Sequence, residues 1–220
     1  MTARLQAAKG ALMLQSLFTK KNAALLLAYG FFILWYSHFG GPLSPEAQTH
    51  YLNRLVALGY NAEQLERLQD FMAHDDGNDF IMVNLINLNP SPQTLPATGE
   101  GASAEALIDH YMAHMTWAQL ARASHPVFFG SVASPSIDLL GIENAEVWSL
   151  SALFRYRSRQ DVMEIISDPR FRERHEYKLA AMLQTIAVPV TPRLQLSDPR
   201  FLLALVFLIF IDRGGPRRSA

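Results

Sequence analysis

The sequence predicts an α+β domain whose strands and helices run β-α-β-β-α-β, carried between two apolar helices. Three observations predict it. Between Phe80 and Val190, strand-like apolar runs alternate with amphipathic helical stretches. The remaining apolar residues of a chain with mean hydropathy +0.06 are concentrated at its two ends. The pentapeptide Ser-Asp-Pro-Arg-Phe occurs at 167–171 and again at 197–201, first before RERHEYKLAAML and then before LLALVFLIFI. Each copy announces a helix start, because Asp168 or Asp198 can accept from free N–H groups of a first turn. The following proline sits where its missing N–H costs nothing.

The 220 residues suit one ordinary domain plus extra segments. Residues 1–21 form a basic tail with Leu5, Leu12 and Leu17 spaced as in an amphipathic helix on a membrane surface. From Asn22 to Phe39 there is no Asp, Glu, Lys or Arg. As a helix, its apolar part spans about 26 Å at about 1.5 Å per residue, close to the hydrocarbon thickness of a bilayer. Trp35 and Tyr36 stand where an interfacial aromatic belt forms. A cleaved signal peptide fits less well, because no small-residue cleavage site comes after it. The segment is read as a transmembrane helix.

After Gly40–Gly41–Pro42, residues 44–78 carry two helical patterns, with Tyr51, Leu52, Leu55 and Leu58 on one stripe and Leu65, Leu68 and Met72 on the next. The cluster DDGND ends them. The body, 79–192, opens with the strand FIMVNLINL. A long loop rich in Pro, Gly and Thr comes next, then a helix capped by Ser103. PVFFGSV is the second strand and AEVWSLSALFRY the third. SRQDVMEIIS and the first pentapeptide each introduce a helix, and TIAVPV closes the sheet, with Pro189 marking it as an edge or bulge. This order is the split βαβ, ferredoxin-like pattern. Residues 199–212 read as a short C-terminal membrane helix, and 213–220 as a basic tail.

Arg4, Lys9, Lys20 and Lys21 precede the first apolar run with no acid among them, Arg213, Arg217 and Arg218 follow the second, and acids outnumber Lys and Arg between the runs. The positive-inside rule then puts both termini in the cytoplasm. In a bacterial inner membrane the body would lie in the periplasm, with membrane lipid as the first partner. With no cysteine there is no disulfide framework, thiolate metal site or cysteine nucleophile. A net charge of −1 and an acidic body disfavour nucleic acid. No phosphate-cradling glycine loop or hydrolase elbow is present, and nothing assigns a reaction or a cofactor.

From about Phe80 to Val190 the sequence resembles the domain of unknown function 1330 family, of the dimeric α/β-barrel superfamily. FIMVNLINL, SAEALIDHYMAH, PVFFGSV, ENAEVWSLSALFRYRSRQDVMEIISDPRF and KLAAMLQTIAVP carry the likeness, over about half the chain. The chain departs from the family at Trp148–Ser149, where Trp-Asp is usual. It departs again at Tyr156–Arg157–Ser158, where Tyr-Pro-Ser is usual, and at Lys178, where Arg is usual. The resemblance implies a ferredoxin-like domain whose sheet pairs with that of a second copy. It implies no reaction, and Ser149 removes a carboxylate that would otherwise invite an acid–base role.

Several residues are candidates for a site. Asn84 interrupts an apolar strand and needs hydrogen-bond partners, either in a neighbouring loop or in a pocket. On the third strand, alternation separates Trp148, Leu150, Ala152, Phe154 and Tyr156 from Val147, Ser149, Ser151, Leu153 and Arg155. The mixed face with Ser149 and Arg155 is either a polar-bottomed pocket or a half-solvated sheet face. Tyr111 shares a stripe with Leu107 and Met115 and is core or pocket wall. The candidate pocket is therefore Asn84, Tyr111, Trp148, Ser149 and Arg155. His110 and His114 have metal-ligand spacing on a helix but lack an evident third ligand, so helix-surface histidines are the stronger reading. The arginines at 155, 157, 159, 170, 172 and 174 interleave with acids and read as a solvated face or an inter-subunit contact. Two functions from different classes remain: a membrane-anchored domain that binds a small molecule, or an accessory or scaffolding subunit of a membrane complex.

Overall fold

The computed structural model describes residues 19–211. The expected amphipathic segment, apart from its last residues, and the C-terminal basic tail lie outside this range. The chain divides into two compact units, one made by its two end segments and one by residues 37–193.

In the first unit, α1 runs Lys20–Tyr36 and a C-terminal helix runs Pro199–Phe210. Tyr29 Oη donates to the Arg200 carbonyl at 3.1 Å and packs edge-on to Phe207, with ring centroids 5.4 Å apart. The expected first membrane helix ends three residues early, because the chain bends after Tyr36 toward Gly40 and Gly41. The C-terminal helix has 12 residues, about 18 Å of rise. Among the described residues, no helix is long and apolar enough to cross a membrane.

The second unit is an α+β body with a four-stranded antiparallel sheet. It begins with α2 (Pro45–Ala57) and α3 (Ala62–Ala73). Ser44 caps α2, and Asn61 forms a full capping box with Gln64 on α3. Leu55 and Met72 from this pair bury against Met163, so the pair belongs to the body's own packing. Gly77 then turns the chain with a φ of 75°, a left-handed conformation that suits glycine.

Strands β1 (Phe80–Leu88), β2 (His125–Ser131), β3 (Leu150–Tyr156) and β4 (Met182–Val190) lie in the order β2-β3-β1-β4. Pro189 therefore stands on an edge strand, where a missing N–H is tolerated. Helix α4 (Ala104–Leu120) connects β1 to β2, while α5 (Arg159–Ile166) and α6 (Pro169–Ala180) connect β3 to β4. The helix from Pro199 is thus α7. Strand β3 starts at Leu150, five residues later than its composition suggests. Trp148 instead donates its indole N–H to the Ala145 carbonyl, which closes a local turn.

The register separates two sheet faces. Phe80, Met82 and Leu88 of β1 and Phe154 and Tyr156 of β3 pack on Leu107, Tyr111, Phe171 and Tyr177 of α4 and α6. Ile81, Val83 and Leu85 point to the other face, opposite Val190, Val188 and Ile186 of β4. Neither hydrophobic cluster of the described residues includes them. The long loop after β1 is pinned: Leu95 is buried in the main core, and the Ala97 N–H donates to Tyr177 Oη at 3.1 Å.

Candidate functional site

Between the helix-covered sheet face and helices α3, α4 and α6 lies a cavity of about 1460 Å³. That exceeds the roughly 300–1,000 Å³ usual for small-molecule pockets. Its floor alternates along β1 as Met82, Asn84, Ile86 and Leu88, and along β3 as Leu150, Ala152, Phe154 and Tyr156. Helix α4 contributes Ile108, Tyr111, Met112 and Met115 to the wall. The methionines give it an adaptable apolar lining.

Beyond the solvent-exposed charged residues at its mouth, such as Glu66, Asp70, Glu105 and Asp109, the polar groups deeper in the lining differ in how they are satisfied. Asn84 and Tyr156 are satisfied within the protein. The Asn84 amide donates to the carbonyls of Met82 at 3.1 Å and Ala152 at 2.9 Å, so it ties β1 to β3. Gln119 donates to Tyr156 Oη at 2.8 Å. Burial nonetheless pushes the Tyr156 phenol up to about 12.

Tyr111, His175 and Lys178 differ from these. Phe171, His175 and Lys178 are spaced i, i+4 and i+7 on α6, so all three lie toward one side of that helix. Lys178 Nζ lies 5.9 Å from the centre of the Tyr111 ring, and the His175 ring centre lies 6.2 Å from it. Lys178 has no hydrogen bond and no carboxylate partner among the described residues. Burial lowers its pKa from the ordinary lysine value. His175 Nδ1 is buried without a partner among the described residues. Burial, helped by the charges of Lys178 and Arg172, brings this imidazole down to about 4, so it is neutral at pH 7. Tyr111 makes no hydrogen bond among the described residues, and burial raises its phenol well above the ordinary value.

Of the five pocket candidates, the structure brings Asn84 and Tyr111 to the cavity. Trp148, Ser149 and Arg155 are not among its lining residues. Ser149 Oγ accepts from the Leu88 N–H at 2.9 Å and lies 3.3 Å from Asn87 Oδ1. Arg155 points to the opposite sheet face, buried against Asp79 and the Ala123 carbonyl. It is thus the apolar face of β3, not the mixed one, that floors the cavity. His110 packs on the Tyr177 ring at 4.3 Å, and the described residues contain no group of three or more potential metal ligands. The arginine cluster dissolves into separate partnerships. Arg157 forks onto Asp161, Arg170 onto Asp168, Arg172 stacks over Tyr60, and Arg174 donates to the His110 carbonyl.

Composition alone does not single out His175 or Lys178 as cavity residues. The available signal is their spacing from Phe171, which puts two ionisable groups on a helix's inward stripe.

No family model and no curated protein matches the chain. Two solved structures are similar to it, those of RPA0582, a protein of unknown function from Rhodopseudomonas palustris, and of its methylated form. Each is 20% identical with a TM-score of 0.49; they cover 63% and 64% of this chain and 98% and 97% of theirs.

Proposed function

We propose that this chain is a membrane-tethered α/β domain, of the ferredoxin-like, dimeric α/β-barrel type, that binds a small molecule between its sheet and its helices. The observation that carries the reading is the cavity itself. It has about 1460 Å³ of space with an apolar lining and a small set of polar groups left without partners among the described residues. Collapse of such a space would gain dispersion contacts, so a folded domain that keeps it open has a use for it.

The tether reading draws support from the end helices. Leu27, Phe31 and Leu34 of α1 and Ile209 of α7 are each more than half exposed, and α7 buries no residue. Contiguous apolar surface of this kind marks a lipid or protein contact. With the basic flanks on the cytoplasmic side, the body lies in the periplasm of a bacterial cell. The homodimer reading draws support from the uncovered sheet face, where Val188, Val190 and Phe128 are between 42% and 54% exposed.

Native mass spectrometry of the purified full-length chain tests the binding reading, with Ala152→Phe as the control that fills the cavity floor. A co-purifying small molecule that is lost in the variant is the expected result. A wild-type protein that carries nothing, and whose stability no small molecule changes, overturns it.

The accessory-subunit reading is favoured by the loop between β2 and β3, in which Ile137 is 98% and Leu140 is 92% exposed. Recovery of a stoichiometric partner, lost when both residues become Ser, would move the function to that loop.

A further inference from the structure

We infer that the cavity's ligand is an amphipathic anion: a carboxylate-type head with a long apolar body, the head held by Lys178 with Tyr111 and His175 beside it. The inference rests on the reading of the cavity as a binding site and names the ligand class for it.

An ammonium removed from water needs a counter-charge or hydrogen-bond acceptors, and its desolvation is expensive without them. Lys178, half-buried, lines the cavity, and the described residues give it neither. Its neighbours do not supply the missing charge. His175 is neutral at neutral pH and Tyr111 stays protonated, so both can donate a hydrogen bond and neither is an anion. The carboxylates that also line the cavity, Glu66 and Asp70 on α3 and Glu105 and Asp109 on α4, are open to solvent. None of them lies within ion-pair distance of Lys178. The cavity's other half-buried cation, Arg159, is already engaged by the His74 carbonyl and lies 3.5 Å from Asp75.

Around Lys178 the cavity thus offers three groups able to donate and no anionic acceptor within ion-pair distance, while its floor along β1 and β3 is mostly apolar. A cationic ligand would be repelled by Lys178. A neutral apolar ligand would leave the ammonium without a counter-charge. An anionic head completes Lys178, can accept from the other two groups, and leaves an apolar body to lie along Met82, Ile86, Met112 and Met115. Polar and charged groups left unpaired until a ligand arrives are how a site discriminates in favour of that ligand's head.

Equilibrium dialysis of the full-length chain against decanoate and 1-decanol tests this, with all proteins in the same nonionic carrier so that uptake by the carrier cancels. Wild type should bind decanoate about tenfold tighter than decanol, the gain expected of one ion pair away from water. Lys178→Met should erase that preference while decanol binding persists, which also shows that the variant is folded. Lys178→Arg should keep the preference. Equal binding of the two probes by wild type, or a preference that survives in Lys178→Met, overturns the anionic assignment and leaves the cavity reading standing. Failure of wild type to bind either probe, with Ala152→Phe behaving identically, removes the cavity reading and this inference with it.

Discussion

Arg155 Nε and Asp79 Oδ2 are 2.8 Å apart, with the arginine side chain 1% exposed and the aspartate 18%. The pair joins the end of β3 to the turn that enters β1, and Arg155 Nη1 donates as well to the Ala123 carbonyl at 2.8 Å. Removing only the carboxylate leaves a guanidinium enclosed without its counter-charge. Asp79→Ala should therefore cost about 3–5 kcal/mol in chemical denaturation. Arg155→Met, which removes the enclosed charge and keeps much of the volume, should cost less than Asp79→Ala. The reverse order would show that the pair is not the source of the effect.

Lys178→Met should raise stability by about 1 kcal/mol or more, since it replaces a cation lacking a counter-charge with a thioether suited to the same apolar wall. Denaturant midpoints of wild type and variant, at equal slope, measure this. A loss of stability would mean that the ammonium has acceptors in the free protein.

His175 makes the body acid-sensitive. Its pKa is near the ordinary 6.5 when unfolded and about 4 in the fold. Between those values the unfolded chain binds the proton and the folded one does not, so stability rises with pH there. The contribution is fully present above about 6.5, declines as pH falls toward 4, and amounts to on the order of 3 kcal/mol. His175→Gln should flatten this part of the pH–stability curve. An unchanged slope between pH 6.5 and 4 would place the sensitivity elsewhere.

Gly77 and Gly59 separate two costs of a side chain. Both have a φ of 75°, but a Cβ on Gly59 meets nothing within 4 Å, whereas one on Gly77 would lie 2.6 Å from the Gly41 carbonyl carbon. Gly59→Ala should cost about 1 kcal/mol from backbone strain alone. Gly77→Ala adds a clash with backbone that cannot rotate away, and should cost about 3 kcal/mol. Equal losses would mean that the segment around Gly41 yields.

Uncovered aliphatic side chains on the second sheet face predict self-association. Sedimentation equilibrium of the full-length chain should give a dimer, and Val188→Asp, which puts a charge into that face opposite Val83, should give a monomer. A monomeric wild type would leave that face to another partner.

The sheet is legible in the sequence because its signals are local. FIMVNLINL, the capping serine at 103 and the proline of an edge strand each decide their own neighbourhood, and the β-α-β-β-α-β succession is the one the split βαβ pattern arranges as a four-stranded antiparallel sheet. Asn84 and Tyr111 are legible as polar or aromatic interruptions of apolar stripes. Which face of β3 meets the helices is not. It depends on whether Arg155 finds a carboxylate outside the cavity, and Asp79 is 76 residues distant in sequence. Lys178 and His175 are obscured for a related reason. On a helix reading RFRERHEYK, two more polar residues look like surface, and only packing against α4 gives them an inside. The helical pair at 44–78 looks like a connector, because nothing local says that Met163 will cover Leu55 and Met72.

The repeated pentapeptide has a consequence for assembly. In both copies the aspartate accepts from the N–H two residues on at 2.8 Å and receives the arginine fork at 2.6 Å. The geometry matches although α6 packs in the body and α7 buries none of its residues. Five residues thus specify where the chain begins to coil without reference to its destination. A nascent polypeptide can set both starts as they leave the ribosome, before any sheet or lipid is there to receive them. Evolution is then free to turn the downstream segment from watery to greasy without shifting the point of departure.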